Sequence, residues 1–254
     1  IVAADRPALP ARGPGLASLA VFPETDVPLA VLGTQPRDGA TGASPRPGEA
    51  RIVVRFNHPV VPLVPVDEQA GLPTPIAISP DVDGDGRWLN TSTYVFEPDA
   101  GLAGATRYSV TVDRGLEDVL GASLAEDVTF AFTTAGPLVV GTYPPGDATD
   151  AGATRPISVT FNMPMDHRSV EDALIVTAED GGAVVAGRTH WISDTLVFEP
   201  RRPLAREARY TAVVGTGARS AEGDAALDAE HTWRFRVAPA PKVVRTEPAD
   251  GEQG

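Results

Sequence analysis

The sequence predicts an all-β chain built from tandem immunoglobulin-like antiparallel β-sandwiches. Three observations predict it: apolar residues alternate at period two over short runs, Gly and Pro punctuate those runs, and one set of motifs occurs twice in the same order. The 25 Gly and 25 Pro among 254 residues are many for a helical chain. No helical period of useful length competes with the alternation. The longest apolar stretches, such as residues 16–22 and 137–140, fall far short of the roughly 20 residues that cross a bilayer as a helix.

The repeat sets the domain organisation. Pro28-Leu29-Ala30-Val31-Leu32-Gly33-Thr34-Gln35-Pro36 returns as Pro137-Leu138-Val139-Val140-Gly141-Thr142-Tyr143-Pro144, and starts again as Pro241-Lys242-Val243-Val244-Arg245-Thr246-Glu247-Pro248. Ile52-Val53-Val54-Arg55-Phe56-Asn57 matches Ile157-Ser158-Val159-Thr160-Phe161-Asn162 at an offset of 105 residues. Val95-Phe96-Glu97-Pro98, Arg107-Tyr108 and Phe130-Ala131-Phe132 return as Val197-Phe198-Glu199-Pro200, Arg209-Tyr210 and Trp233-Arg234-Phe235. Two copies of about a hundred residues follow, a common domain size: residues 29–136 and residues 137–240. Residues 241–254 read as the start of a third, truncated repeat. Residues 1–28, with Pro7, Pro10, Pro14, Pro23 and Pro28 among Ala and Gly, read as an extended linker. The short proline-containing joints at 134–137 and 238–241 should restrain bending.

Within each copy the phase of alternation marks half-buried strands. Ile52, Val54 and Phe56 fall on one face with Val53 and Arg55 on the other, and Ile157, Val159 and Phe161 repeat the pattern. Tyr108, Val110 and Val112 alternate with Ser109 and Thr111, as do Phe130 and Phe132 with Thr129 and Ala131. Pro98 and Pro200 end their strands, because proline cannot donate to a central ladder. Tyr108 and Tyr210, each opening the penultimate strand, fit the tyrosine corner of such sandwiches. Trp88, Trp191 and Trp233 read as core, with Trp88 at a loop edge.

Composition also bounds the chemistry. The net charge of −13 leaves neither copy basic, with 14 acids against 7 bases in residues 29–136 and 14 against 10 in residues 137–240. Nucleic acid is therefore not an expected partner. The absence of Cys removes disulfides, thiolate metal sites and cysteine nucleophiles. Asp81, Asp83 and Asp85 with Gly86 place acids at positions 1, 3 and 5 of an EF-hand-like calcium loop, but position 12 is Ser92 instead of a bidentate Glu. Such Asp and Gly stretches also build turns, and no tight metal site is expected. His58, His167, His190 and His231 are scattered without zinc spacing. Glu117 and Asp118 read as solvated turn acids, and Arg201, Arg202, Arg206 and Arg209 as a basic cluster on an exposed loop and strand edge. No catalytic, metal or cofactor residue is assigned, and no enzymatic activity is expected.

The order Pro36, Asp38, Gly39, Ala40, Gly42, then Phe56-Asn57-x-Pro59, Tyr108-x-Val-x-Val and Leu-Glu-Asp-Val-Leu-Gly-Ala-Ser-Leu at 116–124 before Phe130-x-Phe-Thr-Thr resembles the bacterial Ig-like domain of surface-layer and adhesion proteins. The second copy keeps that skeleton and departs near residues 218–227, where Ser220 replaces the loop Asp. The first copy also resembles the N-terminal region of bacterial alpha-2-macroglobulins, through Phe56-Asn57-His58-Pro59-Val60-Val61, Gly86-Arg87-Trp88-Leu89-Asn90-Thr91 and Thr93-Tyr94-Val95-Phe96-Glu97-Pro98. That resemblance implies an exported, extracytoplasmic protease inhibitor, periplasmic or on the cell surface. Within it these modules are spacers whose partners are other domains of the same polypeptide. Target proteases or envelope components would be met through the full-length protein. The alternative is the same module in a surface-layer, adhesin or multidomain carbohydrate-active protein. The family's thioester needs a Cys before Gly-Glu-Gln; at Gly251-Glu252-Gln253 the preceding residue is Asp250. An export signal is expected outside this sequence, which begins Ile1-Val2-Ala3-Ala4.

Overall fold

Alternating side chains bury one face of a strand at a time, so each copy needs two sheets to cover its apolar faces. In the computed structural model, which describes residues 27–242, module 1 contains β1 (Val31–Gln35), β2 (Ala40–Ala43), β3 (Ile52–Phe56), β4 (Ala77–Ser79), β5 (Gly84–Asn90), β6 (Thr93–Pro98), β7 (Arg107–Val112) and β8 (Val128–Thr134). Module 2 contains β9 (Val139–Tyr143), β10 (Ala148–Ala151), β11 (Ile157–Phe161), α1 (His167–Ala173), β12 (Leu174–Ala178), β13 (Gly187–Ile192), β14 (Thr195–Pro200), β15 (Arg209–Val214) and β16 (His231–Val237). Most of the linker expected over 1–28, nearly all of the third repeat expected over 241–254, and Gly251-Glu252-Gln253 lie outside the described residues.

The sheets of module 1 run β1-β3-β6-β5 and β2-β8-β7-β4, and those of module 2 run β9-β11-β14-β13 and β10-β16-β15-β12. The two orders are the same, and they are the two faces of an immunoglobulin-like sandwich whose first strand is split between sheets. That split adds one parallel pair to each of the otherwise antiparallel sandwiches that the sequence predicts. β2 pairs with β8 in parallel and β10 pairs with β16 in parallel, while every other strand pair is antiparallel. The chain leaves β1, crosses to the other sheet over Gly39 at φ 74°, and lies beside the last strand running the same way.

Each module has its own core. In module 1, Ile52, Val54, Val110, Val112 and Phe132 are wholly enclosed, and Trp88 lies against Phe56 and Tyr94 at ring separations of 5.9 and 5.3 Å. In module 2, Ile157, Val159, Ala212, Val214 and Phe235 are the counterparts, and all are buried. Tyr108 and Tyr210 accept hydrogen bonds from the backbone N–H of Ala103 and Ala205 at 2.9 and 2.8 Å. These bonds fix the corner before β7 and β15 and satisfy a hydroxyl whose ring is buried.

Three local readings need correction. Trp88 is in the middle of β5, not at a loop edge; its indole N–H donates to Pro73 O at 3.0 Å, and the Gln69 carboxamide pairs with both its backbone N–H and C=O. Gly84 and Asp85, taken for turn residues, begin the same strand. Finally, residues 167–173 form a helix, capped where Asp166 accepts the Arg168 N–H. Two turns burying only Val170 are too short for a helical period to register in the sequence.

Because the cores are separate, Phe161→Ala is expected to destabilise module 2 by about 3–5 kcal/mol. Differential scanning calorimetry should show the module 2 transition falling while that of module 1 moves little.

Candidate functional site

The residues with the clearest functional geometry lie where the chain enters each module. The Phe-Asn motif ends β3 and β11, and its asparagine points back at the incoming strand. Asn57 Oδ1 accepts the Ala30 N–H at 2.7 Å and its Nδ2 donates to Pro28 O at 3.0 Å. Asn162 repeats this with Leu138 N–H at 2.8 Å and Gly136 O at 2.9 Å. One residue earlier, Ala135 O still accepts the Ala105 N–H of module 1 at 3.0 Å. Ala135, Gly136 and Leu138 are each held by a hydrogen bond at the crossing.

Arg46, in the β2–β3 loop of module 1, closes the joint. Its Nη2 donates to Phe161 O at 3.0 Å, its Nε donates to Asn162 O at 2.6 Å, and its Nη1 makes an ion pair with Asp194 in the β13–β14 turn. The arginine side chain is 29% exposed and the aspartate 15%. A planar guanidinium with three fixed partners specifies direction as well as attraction. Beside it, Gly104 N–H reaches Glu222 O at 3.4 Å, and a Cβ on Gly104 would stand 3.1 Å from Met163 Sδ. Gly223, at φ 79°, leaves no room for a Cβ against Ala103. The modules therefore meet through residues chosen for closeness. A cavity of about 140 Å³ remains between Pro45, Pro47, Met163 and Pro164.

At the opposite end of module 1, His58 and Asp118 form a pair that reasoning from sequence did not find. His58 Nδ1 donates to Asp118 Oδ2 at 2.8 Å, and Asp118 Oδ1 accepts the N–H groups of Leu120 and Ala122 at 2.8 and 2.9 Å. Asp118 is 6% exposed, which corrects its reading as a solvated turn acid. Burial opposes its charge, but the Ala122 and Leu120 donors together with His58 outweigh it and hold the carboxyl below the usual carboxylate range. In module 2, Ser220 stands in this place and accepts the Ala225 N–H at 3.0 Å. The sequence signal was the offset of 102 residues between Asp118 and Ser220.

The other candidate residues stay apart. Asp81 and Asp83 precede β5 and Asp85 lies within it, and the three carboxylates do not come together to hold an ion. Ser92 hydrogen bonds to Asn90 in the β5–β6 turn. Among the described residues no three His, Asp or Glu side chains come together to hold a metal ion. His167 stacks on Trp191 at 4.1 Å, and His231 lies 5.8 Å from Trp233. Arg201, Arg202 and Arg206 occupy the loop after β14, and Arg209 opens β15. Glu117 makes an isolated bridge with Ser123.

A family model for the bacterial Ig-like domain matches residues 25–134 and again residues 135–237. The chain belongs to that family. No curated protein matches the sequence. Among solved structures, these bacterial Ig-like modules are similar to Mycobacterium tuberculosis L,D-transpeptidase 1 at 19% identity and TM-score 0.28, over 40% of this chain and 39% of that one. They are also similar to an L,D-transpeptidase from Mycobacterium smegmatis at 16% identity and TM-score 0.30, over 65% of this chain and 62% of that one. A native Escherichia coli alpha-2-macroglobulin fragment spanning domains MG0-NIE-MG1 is similar at 15% identity and TM-score 0.38, over 82% of this chain and 71% of that one. The chain spans about two fifths of the length of the first transpeptidase structures it matches. At these identities the likeness is one of fold alone.

Asp118 yields a pH prediction. Its folded pKa lies below the unfolded value of about 3.9, so its contribution is complete above that pH and is lost as pH falls through the folded value. Asp118→Asn should cost about 2 kcal/mol at neutral pH, as loss of hydrogen bonds to a charged group. The variant's module 1 transition should also be flatter than wild type between about pH 5 and pH 2 in thermal melts. For the acids before β5, millimolar calcium should stabilise the chain by less than about 1 kcal/mol. A calorimetric titration showing micromolar binding that Asp83→Ala removes would contradict this.

Proposed function

We infer that the two modules act as a non-catalytic spacer and brace in an exported, extracytoplasmic protease inhibitor of the alpha-2-macroglobulin kind, holding its trapping parts at a set distance and orientation. The joint carries this reading. Arg46, Asn162 and Gly104 anchor the crossing chain from both sides, so the pair transmits position as a jointed rod with little slack. The motif order of module 1, from Phe56-Asn57-His58-Pro59 to Thr93-Tyr94-Val95-Phe96-Glu97-Pro98, supports the choice of family. The direct partners are other domains of the same polypeptide. Target proteases or envelope components are met through the full-length protein, and nucleic acid is not a partner.

Solution scattering tests the rod. Two domains in line should give a radius of gyration of about 24 Å, against about 18 Å for one globule of this length. Arg46→Ala should broaden the distribution of end-to-end distances while both unfolding transitions stay near wild type. A wild-type value near the smaller figure overturns the spacer reading. The 254-residue chain should leave a panel of serine and metalloproteases uninhibited and hydrolyse no peptide, ester or glycoside. Stoichiometric inhibition by the chain alone would refute the assignment.

A further inference from the structure

One corner of the sandwich inverts its charge between the two copies. Strand register fixes the equivalence: Gly84 faces Pro98 and Gly187 faces Pro200, while Asp99 N–H donates to Asp83 O at 3.1 Å and Arg201 N–H to Ala186 O at 2.9 Å. At this corner module 1 carries Asp81, Asp83, Asp85 and Asp99, all exposed. The equivalent positions in module 2 are Val184, Ala186, Arg188 and Arg201, and Arg202 takes the place of Ala100. None of these arginines has an ion-pair partner among the described residues, nor has any of the four aspartates.

The basic corner borders a groove of about 510 Å³ with an apolar floor. Val184, Val185, Leu204 and Tyr210 line it, and Arg201 and Arg202 stand on its rim. Val184 is 70% exposed, although its chain neighbours pair with the sheet. An apolar floor with a guanidinium rim suits an extended segment that offers carboxylates beside a small apolar group. Residues 80–85 of this chain have that composition: Pro80 is exposed and precedes three aspartates at alternate positions.

We propose that the groove of module 2 receives residues 80–85 of a second copy of this chain. The acidic corner sits on module 1 and the basic corner on module 2, so the contact is reciprocal. Two antiparallel copies make it twice, and the assembly closes as a two-fold dimer. Association sets the four aspartates of one corner against the three arginines of the other. The charged groups lie at the rim, so the dimer is sensitive to salt. The proposal is independent of the spacer role, because a non-catalytic rod could act singly or in pairs.

Sedimentation equilibrium of the whole chain tests the proposal. At low ionic strength a monomer–dimer equilibrium is expected, weakening about tenfold or more as salt is raised to a few tenths molar. Asp81→Arg/Asp83→Arg alone, and Arg201→Asp/Arg202→Asp alone, should each be monomeric, with circular dichroism and unfolding transitions unchanged because every substituted residue is exposed. Mixing the two variants in equal amounts should restore a dimer, since each then offers the corner that the other lacks. A wild-type chain that stays monomeric at its highest attainable concentration and low salt overturns the proposal. So does a dimer that either charge reversal leaves intact, or a mixture of variants that remains monomeric.

Discussion

Where each module begins is set by one asparagine carboxamide, and much of the rest depends on it. A carboxamide offers an acceptor and a donor in one plane, and Asn57 and Asn162 use both on the backbone of the strand before β1 and β9. Among the described residues that strand end has no other side-chain partner of this kind. The bonds place the first strand at the edge of its sheet and fix the direction from which the chain arrives. In module 2 the arriving chain is the end of module 1, so the same two bonds that start a domain also position its neighbour. Arg46 then binds the carbonyl groups of Phe161 and Asn162, using the backbone that the asparagine has already immobilised.

The fold was legible because its causes are periodic. Ile52, Val54 and Phe56, with Ile157, Val159 and Phe161, show in the sequence the alternation that burial requires, and all are buried. The parallel pairing of β2 and β10 was not legible, because pairing direction leaves no mark on alternation. Trp88 was misplaced for a related reason: its flanking Gly and Asp residues signal turns by composition, whereas here they form a strand edge covered by Gln69. His58 and Asp118 are 60 residues apart, and only the fold brings them together. Arg46 looked like one more loop arginine, since what it binds is backbone that carries no residue-specific signal.

The two copies differ in a way that sorts constraint from freedom. Core positions and the tyrosine corner are kept, down to the hydrogen bonds of Tyr108 and Tyr210. The turn at 118–122 keeps its anchoring backbone bonds in module 2, where it is one residue longer, with different chemistry. Asp118 N–H donates to Ala122 O and Val119 N–H to Pro59 O, while Ser220 N–H donates to Ala225 O and Ala221 N–H to Pro164 O. A buried carboxylate with three donors holds the turn in module 1, and a hydroxyl suffices in module 2, where module 1 packs against it. Val119 and Leu120, which stand where module 2 has Ala221 and Glu222, are 49% and 69% exposed. The backbone is constrained at both ends of the pair, and the side chains follow what each end faces.

The same comparison gives the joint a direction. The loop after β6 that seats on module 2 is made of small residues, Ala100, Gly101, Ala103 and Gly104 among them, and its counterpart after β14 reads Arg202, Pro203, Ala205 and Arg206. The backbones agree closely: Ala105 and Glu207 both have positive φ, at 49° and 63°, and each N–H bonds to the end of the sheet, at Ala135 O and Val237 O. Arg206 stands at the position of Gly104, where even a Cβ crowds Met163, and it reaches along the chain to Pro239 O at 3.1 Å. That end lacks the small residues on which the joint after module 1 rests. The packing that joins modules 1 and 2 is therefore not a property of the repeat as such. It comes from a few small residues and one arginine added to it, so the contacts at such a joint depend on the residues each module presents there.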